Sequence, residues 1–153
     1  FRLKPLEEFL PAAATAGVAV FGRVPLARGL LSGRYTTSTT FASDDHRSYN
    51  RDGQAFDRGE TFSGVDFETG LAAAGELAAA VPEGVSLPAA TLAWIASQPG
   101  ITSVIPGART PEQAVGNADA AALLDGSVDL EGFDRAVHDV YERRLRARIH
   151  HRW

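Results

Sequence analysis

Arg109, Gln113 and Asn117 have the types and spacing to grip an anion. Ile101-Thr102-Ser103-Val104-Ile105 reads as a buried strand and Pro106-Gly107-Ala108-Arg109 as a tight loop. Thr110 then caps a helix with Pro111 at its first position and Gln113 at its third, a capping-box arrangement. The N–H groups at a helix start have no partner within the helix and suit a negative charge. A guanidinium placed just before that start, as at Arg109, adds full charge and bidentate hydrogen bonds of the kind a phosphate on a ribose accepts. Gln113 and Asn117 lie four residues apart and share a face, so both can reach the same ligand. A capped helix with a solvated arginine is the plainer account of the same residues, since capped helices after strands are common.

A second loop has similar chemistry. Arg23-Val24-Pro25-Leu26-Ala27-Arg28-Gly29-Leu30-Leu31-Ser32-Gly33-Arg34-Tyr35 follows a short apolar run, Val18-Ala19-Val20-Phe21. Gly29 and Gly33 permit close backbone approach, and Arg23, Arg28 and Arg34 bring positive charge with no acid near them in sequence. No GxGxxG or GKS/T pattern is present, so neither a dinucleotide-binding Rossmann turn nor a P-loop is supported. An ordinary strand-to-helix turn is the plain alternative. Two anion-friendly loops, each after a strand, make one shared phosphate ligand more credible than either does alone.

The elements that must position these loops alternate in the α/β manner. Pro5 opens a helix that runs to Ala16, kinked or shortened by Pro11 and stopped at Gly17. Residues 36–64 show no periodicity and read as a lid-like loop or a disordered stretch. Helices are expected from Phe67 to about Val81, from Leu87 to Ser97 with Ser86 as cap, from Thr110 to about Leu124, and from about Leu130 to Ile149. The last is acidic early and basic late, which complements the helix dipole. Two clear strands cannot form a sheet with an interior, so the order looks like a slice of a larger α/β fold.

Composition narrows the function classes. At 44% hydrophobic and 22% charged, 153 residues can bury a real core as one domain. A net charge of −4 argues against a general nucleic-acid binder. The absence of cysteine excludes disulfides, thiolate nucleophiles and cysteine metal sites, and nothing demands an oxidising compartment. No apolar run reaches the roughly 18 to 20 residues needed to span a bilayer, and the first residues do not read as a signal peptide. With no methionine even at position 1, a processed chain, an excised domain or the back part of something longer is expected. Asp44-Asp45-His46 is not expected to hold a metal, because adjacent residues rarely converge on one ion. The arginines of Arg143 to Arg152, with His150, His151 and Trp153, read as a solvated helix end. No nucleophile–base pair is readable, and no catalytic residue is assigned.

Both loops carry a resemblance. Arg23 to Tyr35 is similar to the loop after the seventh strand of aldo-keto reductases, and Ile105 to Asn117 resembles that family's loop and helix after the eighth. Leu92-Ala93-Trp94-Ile95 before Pro99 resembles it too. The resemblance implies a partial (β/α)8 TIM barrel over residues 1–153, made of the C-terminal βα units plus a C-terminal helix, after the sixth strand. It implies NADP(H) as cofactor, a small carbonyl substrate in the whole enzyme and a cytoplasmic location. Gly107, Arg109, Gln113 and Asn117 match positions at the adenosine 2′-phosphate. Leu26, Ala27, Gly29 and Arg34 match positions along the pyrophosphate, and Arg23 stands where an aromatic side chain often stacks on the nicotinamide. A whole barrel needs about 250 residues. The family's catalytic Asp, Tyr, Lys and His belong to its first half and have no match here, so the chain is expected to be inactive alone. The second reading is a non-catalytic half-barrel module that binds a nucleotide or a partner, or pairs with itself to cover its strand edges.

Overall fold

A computed structural model describes residues 1–152, so Trp153, counted above with the basic helix end, lies outside the described residues. In chain order the regular elements are α1 (Phe9–Thr15), β1 (Phe21–Arg23), α2 (His46–Tyr49), α3 (Phe67–Ala79), α4 (Leu87–Ser97), β2 (Ser103–Ile105), α5 (Pro111–Asp119), α6 (Glu131–Val140) and α7 (Arg146–Ile149). The strands form one parallel pair, with Phe21 opposite Ser103, Gly22 opposite Val104 and Arg23 opposite Ile105. A Cβ on Gly22 would meet Ile95 Cγ2 at 3.3 Å, so α4 covers one face of the pair. Phe21 and Ile105 are 57% and 56% exposed on the other face.

Several boundaries differ from the sequence reading. The opening helix breaks at Glu7 and Glu8, between a 3-10 turn at Lys4–Leu6 and α1. Pro11 therefore falls in the first turn of α1, where its missing N–H is tolerated, and it forms no kink in a helix interior. Gly17, at φ 66°, ends α1: its N–H reaches Ala14 O and the Val18 N–H reaches Ala13 O. That exit takes up Val18 and Ala19, and β1 starts later than the apolar run suggests. The helix expected from Thr110 to about Leu124 is α5 followed by a 3-10 turn at Ala120–Asp125. The last helix is not continuous either: a π turn at Tyr141–Leu145 separates α6 from α7. Tyr141, Leu145 and Ile149 are all buried at spacings of four, and the wider turn offsets the drift that such spacing has on an α-helix.

One core unites the pieces. Leu30, Phe62, Ala73, Leu77, Phe133 and Ile149 belong to a single buried cluster, so α3, α6 and α7 pack together over the loop after β1. The basic end is more than solvated surface. Arg144 pairs with Glu76, Arg146 with Glu7 at 3.0 Å, Arg148 with Asp66 at 2.9 Å and Arg152 with Asp57 at 3.0 Å.

Residues 36–64 are not structureless, contrary to what their lack of periodicity suggests. Phe41 packs edge-on against Tyr35 at 5.2 Å and Phe67 at 5.8 Å, while the Arg47 guanidinium lies 4.8 Å from its ring centroid. Asn50 is fully buried; its Oδ1 accepts from Ala55 N at 2.8 Å and Phe56 N at 2.9 Å, and its Nδ2 donates to Thr61 Oγ1 at 3.1 Å. The order comes from contacts between residues far from helical or strand spacing, which a periodicity reading does not register.

Candidate functional site

The parallel register sends both loops out from the same end of the sheet. Arg23 and Ile105 are the last residues of their strands and are paired, so Val24 and Pro106 leave side by side. Neighbouring strands lie about 4.8 Å apart, which brings the roots of the loops within reach of one ligand.

The loop after β1 holds an uncommon backbone. Val24, Ala27 and Arg28 adopt φ of 55°, 47° and 57°, and Gly29 has φ of 99°. Left-handed conformations at residues with a Cβ carry strain, which concentrates at binding sites, and such alternations of the chain form concave anion nests. Burial over-determines the shape: Ala27, Leu30 and Leu31 are at most 3% exposed. Tyr35 closes over Gly29, where an added Cβ would lie 2.8 Å from Cζ. Ser32 Oγ donates to Gly29 O at 2.6 Å and accepts from Arg34 N at 3.3 Å, so the turn at Gly29 and the exposed Arg34 are held together.

Sequence spacing leaves these arginines without an acid, but the fold supplies one. Glu60 accepts a hydrogen bond from Arg28 Nη2, and the same carboxylate oxygen lies 3.7 Å from Arg23 Nη2. Arg2 stands on the same wall, donating to Gly59 O at 2.6 Å. Burial pulls the Arg2 guanidinium below its usual range, against the opposing effect of Glu60. These groups border a cavity of about 380 Å³ whose apolar walls include Phe1, Phe9, Phe21 and Ile95. Neither Glu60 nor Arg2 is singled out by sequence. Glu60 lies 32 residues from Arg28, and the only local hint is its position beside Gly59 in a turn.

The second loop is built as its motif predicts, with one difference in use. Thr110 Oγ1 accepts from Gln113 N at 3.3 Å, the expected cap. Gln113 Oε1 accepts from Arg109 N at 2.7 Å, and Asn117 Nδ2 donates to Gly107 O at 3.1 Å. Both amides clasp the loop backbone and shape the place where Gly107 and Arg109 stand. Open space lies beside Gly107, and Arg109 is exposed. The Glu112 carboxyl, held by its own backbone N–H and by the Thr110 hydroxyl, is kept below the ordinary carboxylate range.

The remaining candidates go elsewhere. Asp45 caps α2 and pairs with Arg47, so Asp44-Asp45-His46 serves a turn, and no group suited to a metal lies among the described residues. Tyr141 Oη and His150 Nδ1 lie 2.9 Å apart, a pair that fastens the C-terminal segment to itself. No helix among the described residues is long and apolar enough to cross a membrane.

Comparison with known proteins agrees with this architecture. Residues 2–129 match the family model described as aldo/keto reductase family. A probable voltage-gated potassium channel subunit beta from Oryza sativa subsp. japonica is 32% identical over 128 residues, covering 80% of this chain and 36% of that protein. The structure of a glycerol dehydrogenase from Gluconobacter oxydans superposes with a TM-score of 0.68 at 29% identity, covering 92% of this chain and 39% of that one. The chain therefore spans well under half the length of these relatives.

Proposed function

The chain belongs to the aldo/keto reductase family and folds as part of a (β/α)8 barrel, and from that premise we propose that it is the cofactor-gripping portion of an NADP(H)-dependent oxidoreductase. In this reading Gly107 and Arg109 take the 2′-phosphate, on a loop shaped by Gln113 and Asn117. Leu26, Ala27, Gly29 and Arg34 follow the pyrophosphate, and the Arg23 guanidinium lies against the nicotinamide. The observation that carries the reading is the in-register pairing of Arg23 with Ile105, which puts both loops at one end. The left-handed backbone at Ala27 to Gly29 and the open space at Gly107 fit a phosphate-bearing ligand approaching the main chain.

Bound NADP(H) would exchange hydride with a small carbonyl or alcohol substrate. The residues of this chain bind and orient; none is placed as the proton donor. Residues 36–64 act as a lid over the same end, and the location is cytoplasmic, as the family resemblance implies. NADPH titration followed by nucleotide fluorescence tests the reading: Arg109→Ala weakens NADPH at least tenfold while changing NADH little. Equal losses for both nucleotides remove the 2′-phosphate role. With a broad aldehyde panel the chain alone turns over nothing, and clear NADPH consumption refutes that part.

A second reading rests on the exposed sheet face. Phe21 and Ile105 lie bare on a two-stranded sheet, which favours a non-catalytic half-barrel that pairs with itself or a partner. Sedimentation over a range of concentrations separates the readings: a tight symmetric dimer supports the module.

A further inference from the structure

The geometry points to Glu60 as a displaceable internal counter-anion: its carboxylate holds the place at Arg28 that a phosphate of the ligand takes, and its departure frees Arg23 for the nicotinamide. This rests on the dinucleotide reading above and goes beyond it by naming the competitor for that site. One carboxylate oxygen serves both guanidinium groups, through a hydrogen bond from Arg28 and a 3.7 Å approach of Arg23. Arg2, on the N-terminal segment, lies close enough for the Glu60 charge to act on it, with Asp57 and His46 as the other titratable neighbours. Three guanidinium groups therefore surround Glu60, and Asp57 is itself engaged by Arg152 at 3.0 Å.

The pairing is accessible. Glu60 is 41% exposed at its side chain, Arg28 30% and Arg23 72%, so solvent and ligand reach the pair from the cavity. The pyrophosphate of a dinucleotide offers four non-bridging oxygens and two charges against the two oxygens and single charge of a carboxylate, and so satisfies a forked guanidinium better. The segment that carries Glu60 is short and kinked: the 3-10 turn Arg58–Glu60 runs into Thr61 and then into Phe62 and Ser63, both left-handed at φ 47° and 60°. Thr61 and Phe62 are fully buried, so the segment stays anchored while the Glu60 side chain swings. Ligand entry then exchanges one anion for another, and the lid segment registers whether the arginines are occupied.

Glu60→Gln keeps the size of the side chain and removes its charge. Inorganic pyrophosphate and NADPH are titrated into the wild-type chain, E60Q and E83Q by calorimetry. E83Q makes the same change in net charge in the exposed turn after α3. The expected result is a roughly tenfold tighter pyrophosphate affinity for E60Q, equivalent to about 1.4 kcal/mol, with E83Q close to wild type. An E60Q affinity equal to or below wild type, an equal gain in E83Q, or no pyrophosphate binding by any of the three overturns the inference. The two readings separate cleanly. NADPH binding that is sensitive to Arg109→Ala but indifferent to E60Q sinks the counter-anion and leaves the dinucleotide. A pyrophosphate gain without any NADPH binding does the reverse.

Discussion

Arg23 and Ile105 are partners across the parallel strand pair, so the loop bearing Arg28 and Gly29 and the loop bearing Gly107 and Arg109 rise side by side. Parallel strands impose this, because their C-terminal ends lie at one edge, where ligands of α/β folds bind. Covering one face with α4 leaves Phe21 and Ile105 on the other, the direction in which the rest of a barrel lies.

Gly29 and Gly33 test how tightly the first loop is specified. Both are left-handed, at φ 99° and 72°, but only Gly29 is crowded: a Cβ there would lie 2.8 Å from Tyr35 Cζ, while Gly33 has open space. Gly33→Ala should cost only the left-handed penalty, about 1 kcal/mol. Gly29→Ala adds the clash with Tyr35 and should cost about 3 kcal/mol. Thermal melts of the two variants check the order, and equal losses would contradict the packing of Tyr35 over Gly29.

What was legible in the residues is what acts over a few positions. The Thr110 and Ser86 caps were readable because each side chain meets an N–H three residues on. The two strands were readable in kind, though both begin later than their apolar runs because turns at Gly17 and Gly100 use the first residues. The Glu60 contact with Arg28 was not readable, since it depends on a fold that closes 32 residues of chain. The order within residues 36–64 was missed for the same reason. It hangs on Asn50 and on Phe41 between arginines, neither of which has a periodic signature.

Asn50→Ala should reveal that hidden order. The substitution leaves the N–H groups of Ala55 and Phe56 without the acceptor that Oδ1 supplies and removes the donor to buried Thr61. Stranded buried polar groups cost about 1–3 kcal/mol each, and partial access of water to this turn reduces the sum to about 3 kcal/mol. Limited trypsin digestion should show new cleavage at Arg51 or Arg58, with α3 and α4 intact. An unchanged digestion pattern would mean that Asn50 does not hold the segment.

Acid should loosen the same region through Asp45. Hydrogen bonds from the Arg47 guanidinium hold its carboxyl at about 2, against an ordinary value of 3.8. A folded-state value below the unfolded one adds stability above about pH 4, and that contribution is lost as pH falls through 2. Melting temperature should therefore fall between pH 4 and pH 2 more steeply for the wild type than for Asp45→Asn. Parallel pH profiles for the two proteins would show that the pair contributes nothing to stability.

Ile149 tests whether the C-terminal segment is part of the fold or an appendage. The family match ends at residue 129, yet Phe133 and Ile149 are 0% exposed and Leu145 is 2% exposed. Ile149 sits against the turn that follows Glu60: its Cγ2 would lie 3.6 Å from a Cβ on Gly64. Arg148 and Arg152 fasten the same segment to Asp66 and Asp57. Surface pairs of this kind are worth at most about 1 kcal/mol each, so the apolar contact should dominate. Ile149→Ala should cost about 3 kcal/mol, against less than about 1 kcal/mol for Arg152→Ala, both read from urea unfolding. Ile149→Ala should also tighten pyrophosphate binding, because the segment that it supports holds Glu60, the competitor for that site, beside Arg28. A cost at Ile149 no larger than that at Arg152 would place the last helix outside the cooperative core.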